Sequence, residues 1–153
     1  MKDQTSEFIT SNPADDTDWL LQHIAEMAGM GVQVPVTLTT AAGLVTGVTV
    51  SGSEYLDHLK QDITKHWPAD MQSTYFGVVE EWKASVYPKP SADEGERSDH
   101  IPSYIHLKGA RLYNAGTVVP GDNGMLWRGR LSSIIGFTVG VLTTSADGQV
   151  DEE

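Results

Sequence analysis

Tyr104-Ile105-His106-Leu107-Lys108-Gly109-Ala110-Arg111-Leu112-Tyr113-Asn114, followed by Met125-Leu126-Trp127-Arg128-Gly129-Arg130-Leu131 and by Ile134–Leu142, is the stretch on which the fold turns. Ile105 and Leu107 alternate with His106 and Lys108, the period of two that gives a strand one apolar and one polar face. Val118-Val119-Pro120-Gly121-Asp122-Asn123-Gly124 carries turn chemistry, so a strand from Tyr104 through Leu112 should be followed by strands at Met125–Leu131 and Ile134–Leu142, with Gly136 and Gly140 as bend points. Residues 101–145 set Lys108, Arg111, Arg128 and Arg130 against the single acid Asp122, a net +3 that leaves −14 for the rest of a chain whose total is −11. A short basic β module inside an acidic chain suits a docking surface better than an active site.

Toward the N-terminus, Val34, Val36 and Leu38 alternate with Pro35, Thr37 and Thr39, Ala41-Ala42-Gly43 supplies a turn, and Leu44–Val50 runs back. Pro35 marks a strand start or an edge, and Gly47 a bulge or sharp bend. Before this hairpin, Asp15, Asp16 and Thr17 offer caps for a helix with Leu20, Ile24, Met27 and Ala28 on its apolar face, stopped by Gly29 and Gly31. After it, Ser53 caps a second helix with Leu56, Leu59 and Ile63 in a stripe that Pro68 ends. Met71, Tyr75, Val78 and Trp82 favour a helix over residues 69–87, although Tyr75–Val79 would also suit a strand.

The fold expected is α+β: a small, strongly bent antiparallel sheet of about five strands, in the manner of an SH3-like or Sm-like partly open barrel. It carries an N-terminal helix and a helical insertion after the second strand. One domain spans 15–145, between a flexible tail at 1–14 and an acidic tail at 146–153; the insertion covers 53–100 and holds an acidic, Pro-rich loop at 88–100.

Chain chemistry excludes several classes. With no cysteine there is neither a disulfide framework nor a Cys-based zinc site. No signal-peptide core and no membrane-length apolar run is present, which gives the expectation of a soluble, cytoplasmic protein. A charge of −11 disfavours nucleic acid and anionic lipid. His58 and Asp62 share a helix face, with Asp57 beside them, but no second histidine completes a metal site and no HExxH motif occurs. His106 reads as a satisfied strand residue rather than a base, no GxSxG or Lys-bearing phosphate loop exists, and the acidic pairs fall in a cap, a helix flank and a tail. Neither an enzyme nor a cofactor or metal protein is expected.

Trp127-Arg128-Gly129-Arg130 places Trp127 and Gly129 on one strand face and two guanidinium forks on the other. Together with Lys108 and Arg111, expected on a nearby strand, these residues are the candidate partner-binding set. The apolar Ile134, Ile135, Phe137 and Val139 suggest an edge strand that a second copy would cover, hence a homo-oligomer.

The segments Gly43–Leu59, Tyr104–Asn114 and Trp127–Phe137, in that order and with their glycine and aromatic placement, resemble the gas vesicle accessory protein U family. The resemblance covers residues 34–60 and 104–142. It implies a non-enzymatic accessory protein that assists assembly or clustering of gas-filled shells by contact with shell or accessory proteins. It defines no catalytic or ligand-binding residue. The rival reading from the residues alone is an Sm-like RNA-binding module, resting on the small-barrel pattern and Arg128-Gly129-Arg130.

Overall fold

The computed structural model describes residues 17–89 and 101–143. The tails expected at 1–14 and 146–153, the caps Asp15 and Asp16, and nearly all of the 88–100 loop lie outside the described residues. The elements are α1 (Trp19–Gly29), β1 (Pro35–Thr40), β2 (Gly43–Val50), α2 (Gly52–Thr64), α3 (Ala69–Val86), β3 (Tyr104–Asn114), β4 (Thr117–Val119), β5 (Met125–Arg130), a 3-10 turn (Leu131–Ser133) and β6 (Ile134–Val139). All ladders are antiparallel, in the order β4-β3-β2-β1-β6, with β5 also on β3. The hairpin and the C-terminal strands therefore share one sheet, and α2 and α3 are inserted after its second strand, as the α+β reading requires. The sheet is open: β6 ends it on one side, β4 and β5 on the other, and no ladder closes a barrel among the described residues.

Six strands form where about five are expected. Ala115 (φ 48) and Gly116 (φ 81) turn β3 directly into β4, the paired positive φ values of a tight hairpin. An Ala-Gly pair lacks the Asn-Gly signature of such turns, so β4 escapes the sequence pattern. Two other strand ends are earlier than expected. Leu131 leaves β5 for the 3-10 turn and is buried there, and β6 stops at Val139 because Gly140, at φ 120, swings the chain off the sheet edge.

One sheet face carries the core. Val36, Leu38, Val45, Ile105, Leu107 and Ala110 meet Leu131, Ile134 and the helix residues Leu21 and Ile24. Burying each large aliphatic side chain contributes about 1.5–3 kcal/mol, so this face dominates the energetics. Two details of α1 differ from the sequence expectation. Its cap is Asp18, whose Oδ1 accepts from Leu20 N at 2.8 Å and Leu21 N at 3.3 Å. Its buried face is Leu21-Ile24-Ala28, and Leu20, about 100° around the helix, is 42% exposed.

The other face is covered by two pieces of chain. Helix α2 lies over β3 and β5, and α3 packs against α2. Ser51, rather than Ser53, caps α2 by accepting from Glu54 N at 3.0 Å; Ser51-x-x-Glu54 is the capping-box spacing that would have located it. Leu56 and Leu59 are half-buried, but Ile63 is exposed and Thr64 takes the buried position, so the expected stripe turns away at its last residue. Pro68 begins α3 as its N-cap. Beyond β6 the backbone doubles back across β1 and β2: Thr37 Oγ1 donates to Gly140 O at 2.8 Å, Leu142 N donates to Thr46 Oγ1 at 2.9 Å, and Tyr113 OH donates to Leu142 O at 3.1 Å.

A bulge at Gly109 (φ 58) reconciles the two faces. Between Leu107 and Ala110, β3 spends one residue more than either β2 or β5, which keeps Leu107 and Ala110 on the core side although three positions separate them. Gly124 (φ 74) lies against this bulge, and a Cβ there would come within 2.5–2.8 Å of the Gly109 backbone. Gly124→Ala is accordingly expected to destabilise the protein by about 1–3 kcal/mol. Urea unfolding measures it; an unchanged midpoint would show that the bulge tolerates displacement.

Candidate functional site

Alternation on β3, phase-shifted by the bulge, brings His106, Lys108 and Arg111 to the sheet face under α2. Arg128 stands opposite His106 and Arg130 opposite Tyr104, so all four cations of the candidate set share that face. Trp127 pairs with Leu107 on the core side, where its ring packs on the core and occupies the space that a side chain at Gly129 would fill. The sequence reading had separated Trp127 from the arginines in this way. Nothing in that alternation signals how far the cations are engaged within the chain.

Lys108 Nζ reaches Glu54 Oε1 on α2 at 3.1 Å. Arg111 donates through Nε and Nη2 to the Asp122 carbonyl in the β4–β5 turn. The Arg128 guanidinium lies 3.8 Å from the Tyr104 ring centroid and donates through Nε to His106 Nε2 at 3.2 Å. Arg130 is exposed at the end of β5. Lys108 and Glu54 are each about a third exposed, so their pair contributes only about 0–1 kcal/mol, and its value is positional. Burial tends to raise the Glu54 carboxyl, but hydrogen bonding and charge from Lys108 outweigh it and hold Glu54 below the usual carboxylate range.

Among the described residues His106 is the most perturbed group. It is 6% exposed, with the Tyr55 ring 4.8 Å and the Tyr87 ring 6.1 Å from its centroid. Burial first, and the Arg128 cation second, lower it from 6.5 to about 4. Accepting from Arg128 at Nε2 leaves its proton on Nδ1. A neutral imidazole locked between two aromatic rings and a guanidinium is an architectural joint between β3, β5 and α2, in keeping with the sequence reading of a satisfied strand residue.

A second charged cluster joins α2 to α3. Asp57 accepts from Lys60 at 2.7 Å and Lys83 at 2.9 Å, and Glu80 accepts from the same two lysines at 2.7 and 3.4 Å. Hydrogen bonds to Asp57 raise both lysines, and those lysines hold Asp57 low against the opposing effect of its burial. The sequence reading missed this cluster because its members are split between two helices. Among the described residues no group of three His, Cys, Asp or Glu side chains is placed to hold a metal, and no helix is long and apolar enough to cross a membrane. The depression beside Lys108, lined by His58, Asp62, Gly124 and Met125, measures about 220 Å³, below the roughly 300–1,000 Å³ of ordinary ligand pockets.

The fold and this face define an open-sheet α+β protein whose surface chemistry lies in side-chain rows rather than in a cleft. A family model described as gas vesicle protein GvpU-like matches residues 18–142. The chain belongs to that family, and it is a gas vesicle-related protein. No curated protein and no solved structure matches it.

The His106 environment carries a pH consequence. With a folded value of about 4 against 6.5 unfolded, the unfolded chain binds the proton first as pH falls, so this group's stability is full above about 6.5 and is lost toward 4. The loss approaches about 3 kcal/mol, and His106→Gln should flatten that part of the profile. Denaturant midpoints measured between those pH values provide the check; an unflattened slope would assign the dependence to other groups.

Proposed function

We propose that the protein is a non-enzymatic gas vesicle accessory protein that works in the cytoplasm through contact with shell or other accessory proteins, influencing vesicle assembly or clustering. Membership of the GvpU-like family over residues 18–142 carries this reading. The shared cationic face of β3 and β5 supports it, with Arg130 and the outer side of Arg128 offered to carboxylates of a partner. Lys108 and Arg111 border that patch and fix its shape through α2 and the β4–β5 turn. Trp127 contributes from beneath by stiffening β5. Self-association belongs to the proposal as well: among the described residues β6 ends the sheet with Ile135 73% and Val139 67% exposed, but a bulge at Ile135 interrupts that edge and makes it a poor template for strand pairing between copies.

The RNA-binding alternative loses support from the open sheet and from the internal engagement of three of the four cations. Co-flotation of purified protein with gas vesicles, together with pull-down of gas vesicle accessory proteins, tests the proposal. Arg130→Glu should lower retention by a factor of about three to ten and increase its salt sensitivity without altering the fold. Trp127→Ala should instead reduce stability by about 2–4 kcal/mol. A wild-type chain retained by neither vesicles nor accessory proteins would overturn the proposal. Anisotropy with short RNA that falls linearly with the logarithm of salt would replace it with the alternative.

A further inference from the structure

Helix α3 presents a row of apolar side chains that nothing in the described residues covers. Met71 is 52% exposed, Val78 36%, Trp82 45% and Val86 53%, with half-buried Tyr75 between them. The 4-3-4 spacing of Met71, Tyr75, Val78 and Trp82 is that of the seam of a helix pair. α3 meets α2 through a different side, where Val79 is buried and Lys83 reaches Asp57, so the row is surplus to the monomer. Trp67, at the helix entry, meets Tyr75 at a tilt with 5.5 Å between centroids, and Tyr75 meets Trp82 edge-on at 6.2 Å. Rings held in place by one another lose little freedom on binding.

The row is symmetric about its own centre, between Phe76 and Gly77. Turned end for end, Tyr75 falls opposite Val78 and Met71 opposite Trp82. Each level sets a large side chain against a smaller one, the alternation that lets two surfaces interlock. A two-fold contact requires this reciprocity, in which residue i meets j and j meets i. An unrelated partner would not demand it.

We propose that α3 packs antiparallel against α3 of a second copy of this chain, so that the protein forms a two-fold dimer through the Met71–Tyr75–Val78–Trp82 seam. The helix of 18 residues is roughly 27 Å long. Its exposed apolar side chains offer roughly 400–500 Å² per copy, given 150–250 Å² for each aromatic. Two copies therefore bury on the order of 1,000 Å², the lower bound for a specific contact, which fits a dimer forming at micromolar concentration. Charge does not forbid it locally, since Asp57 and Glu80 are neutralised beside the seam by Lys60 and Lys83. The chain's −11 opposes it at long range, so the dimer should tighten as salt rises. That is opposite to the behaviour expected of the cationic sheet face, and the dimer does not depend on any gas vesicle partner.

Light scattering and sedimentation velocity on the full chain, at roughly 5–200 μM, form the first arm. The wild type should pass from monomer to dimer. Tyr75→Glu and Trp82→Glu, each checked by circular dichroism, should weaken association at least tenfold. The second arm uses the absence of cysteine: differently tagged copies bearing Met71→Cys and Trp82→Cys are mixed and oxidised. They should form mixed disulfides in preference to either homodisulfide, because like positions lie roughly 16 Å apart along an antiparallel pair. This arm reads the geometry even if a glutamate variant fails to fold. A wild type monomeric throughout, a dimer that survives both glutamates, or homodisulfides formed as readily as mixed ones would each overturn the proposal. The second result would place the contact on the β6 edge, where Val139→Lys should then abolish it.

Discussion

One additional residue in β3 is the constraint on which the rest depends. Leu107, Ala110 and Leu112 must reach the core, while His106, Lys108 and Arg111 must reach the opposite face. Strict alternation cannot satisfy both sets, because a spacing of three reverses the side. Gly109 absorbs the odd step at φ 58, a conformation that a residue with a Cβ adopts at a cost. Gly124 then approaches the bulge backbone more closely than any side chain allows, and Gly47 faces it from β2, where a Cβ would lie 3.1 Å from Lys108 O. Gly47 in β2 and Gly124, just before β5, thus flank the bulge at Gly109, and the cationic row and the core are both in phase because of it.

This dependence also explains what could be read from the sequence and what could not. The hairpin at Val34–Val50, the single antiparallel sheet, the helical character of residues 69–87 and the opposed faces of Trp127 and Arg128 all follow from short-range periodicity, which survives folding unchanged. Gly47 signals an irregularity in its strand, yet the extra residue sits across the ladder at Gly109, and only pairing reveals which strand carries it. The helix caps fell one to three residues from their expected places, since several adjacent Asp, Thr and Ser side chains can accept from a free N–H and tertiary packing selects among them. Closure into a barrel is decided by whether β6 meets β4 or β5, a long-range matter on which alternation is silent.

Much of the sheet's positive charge is spent inside the molecule. Lys108 positions α2, Arg111 ties down the β4–β5 turn, and Arg128 is sandwiched between Tyr104 and His106. Counting charges along the segment therefore overstates what a partner would meet, for the +3 read from residues 101–145 includes these internal contacts. The row is informative as geometry: it marks a flat, braced face on which Arg130 and one edge of Arg128 remain outward. The hydrophobic stripe of α3 shows the converse error. Its helical spacing is plain in the sequence, and such spacing ordinarily means burial against the parent domain. Here the helix spends a neighbouring side on that contact and leaves the stripe outside.

Helix α2 connects the two surfaces. Glu54 reaches down to Lys108 on the sheet, and Asp57, one turn along, reaches across to Lys83 on α3. Tyr55, between them in sequence, packs on His106, and Gly52 lies against the Tyr87 ring just past the end of α3. The ion pairs are partly solvated and individually weak, whereas the aromatic contacts around His106 are buried, so the apolar joint supplies the adhesion and the charges supply the register. Protonating His106 would place a cation beside Arg128 inside that joint and loosen the α2–α3 hairpin from the sheet. The exposed helix row and the exposed strand row are thereby joined through α2, with the buried His106 and its ring contacts at the centre of the joint. On the proposed reading, the α3 row and the sheet row are two contact surfaces, and the joint around His106 lies between them.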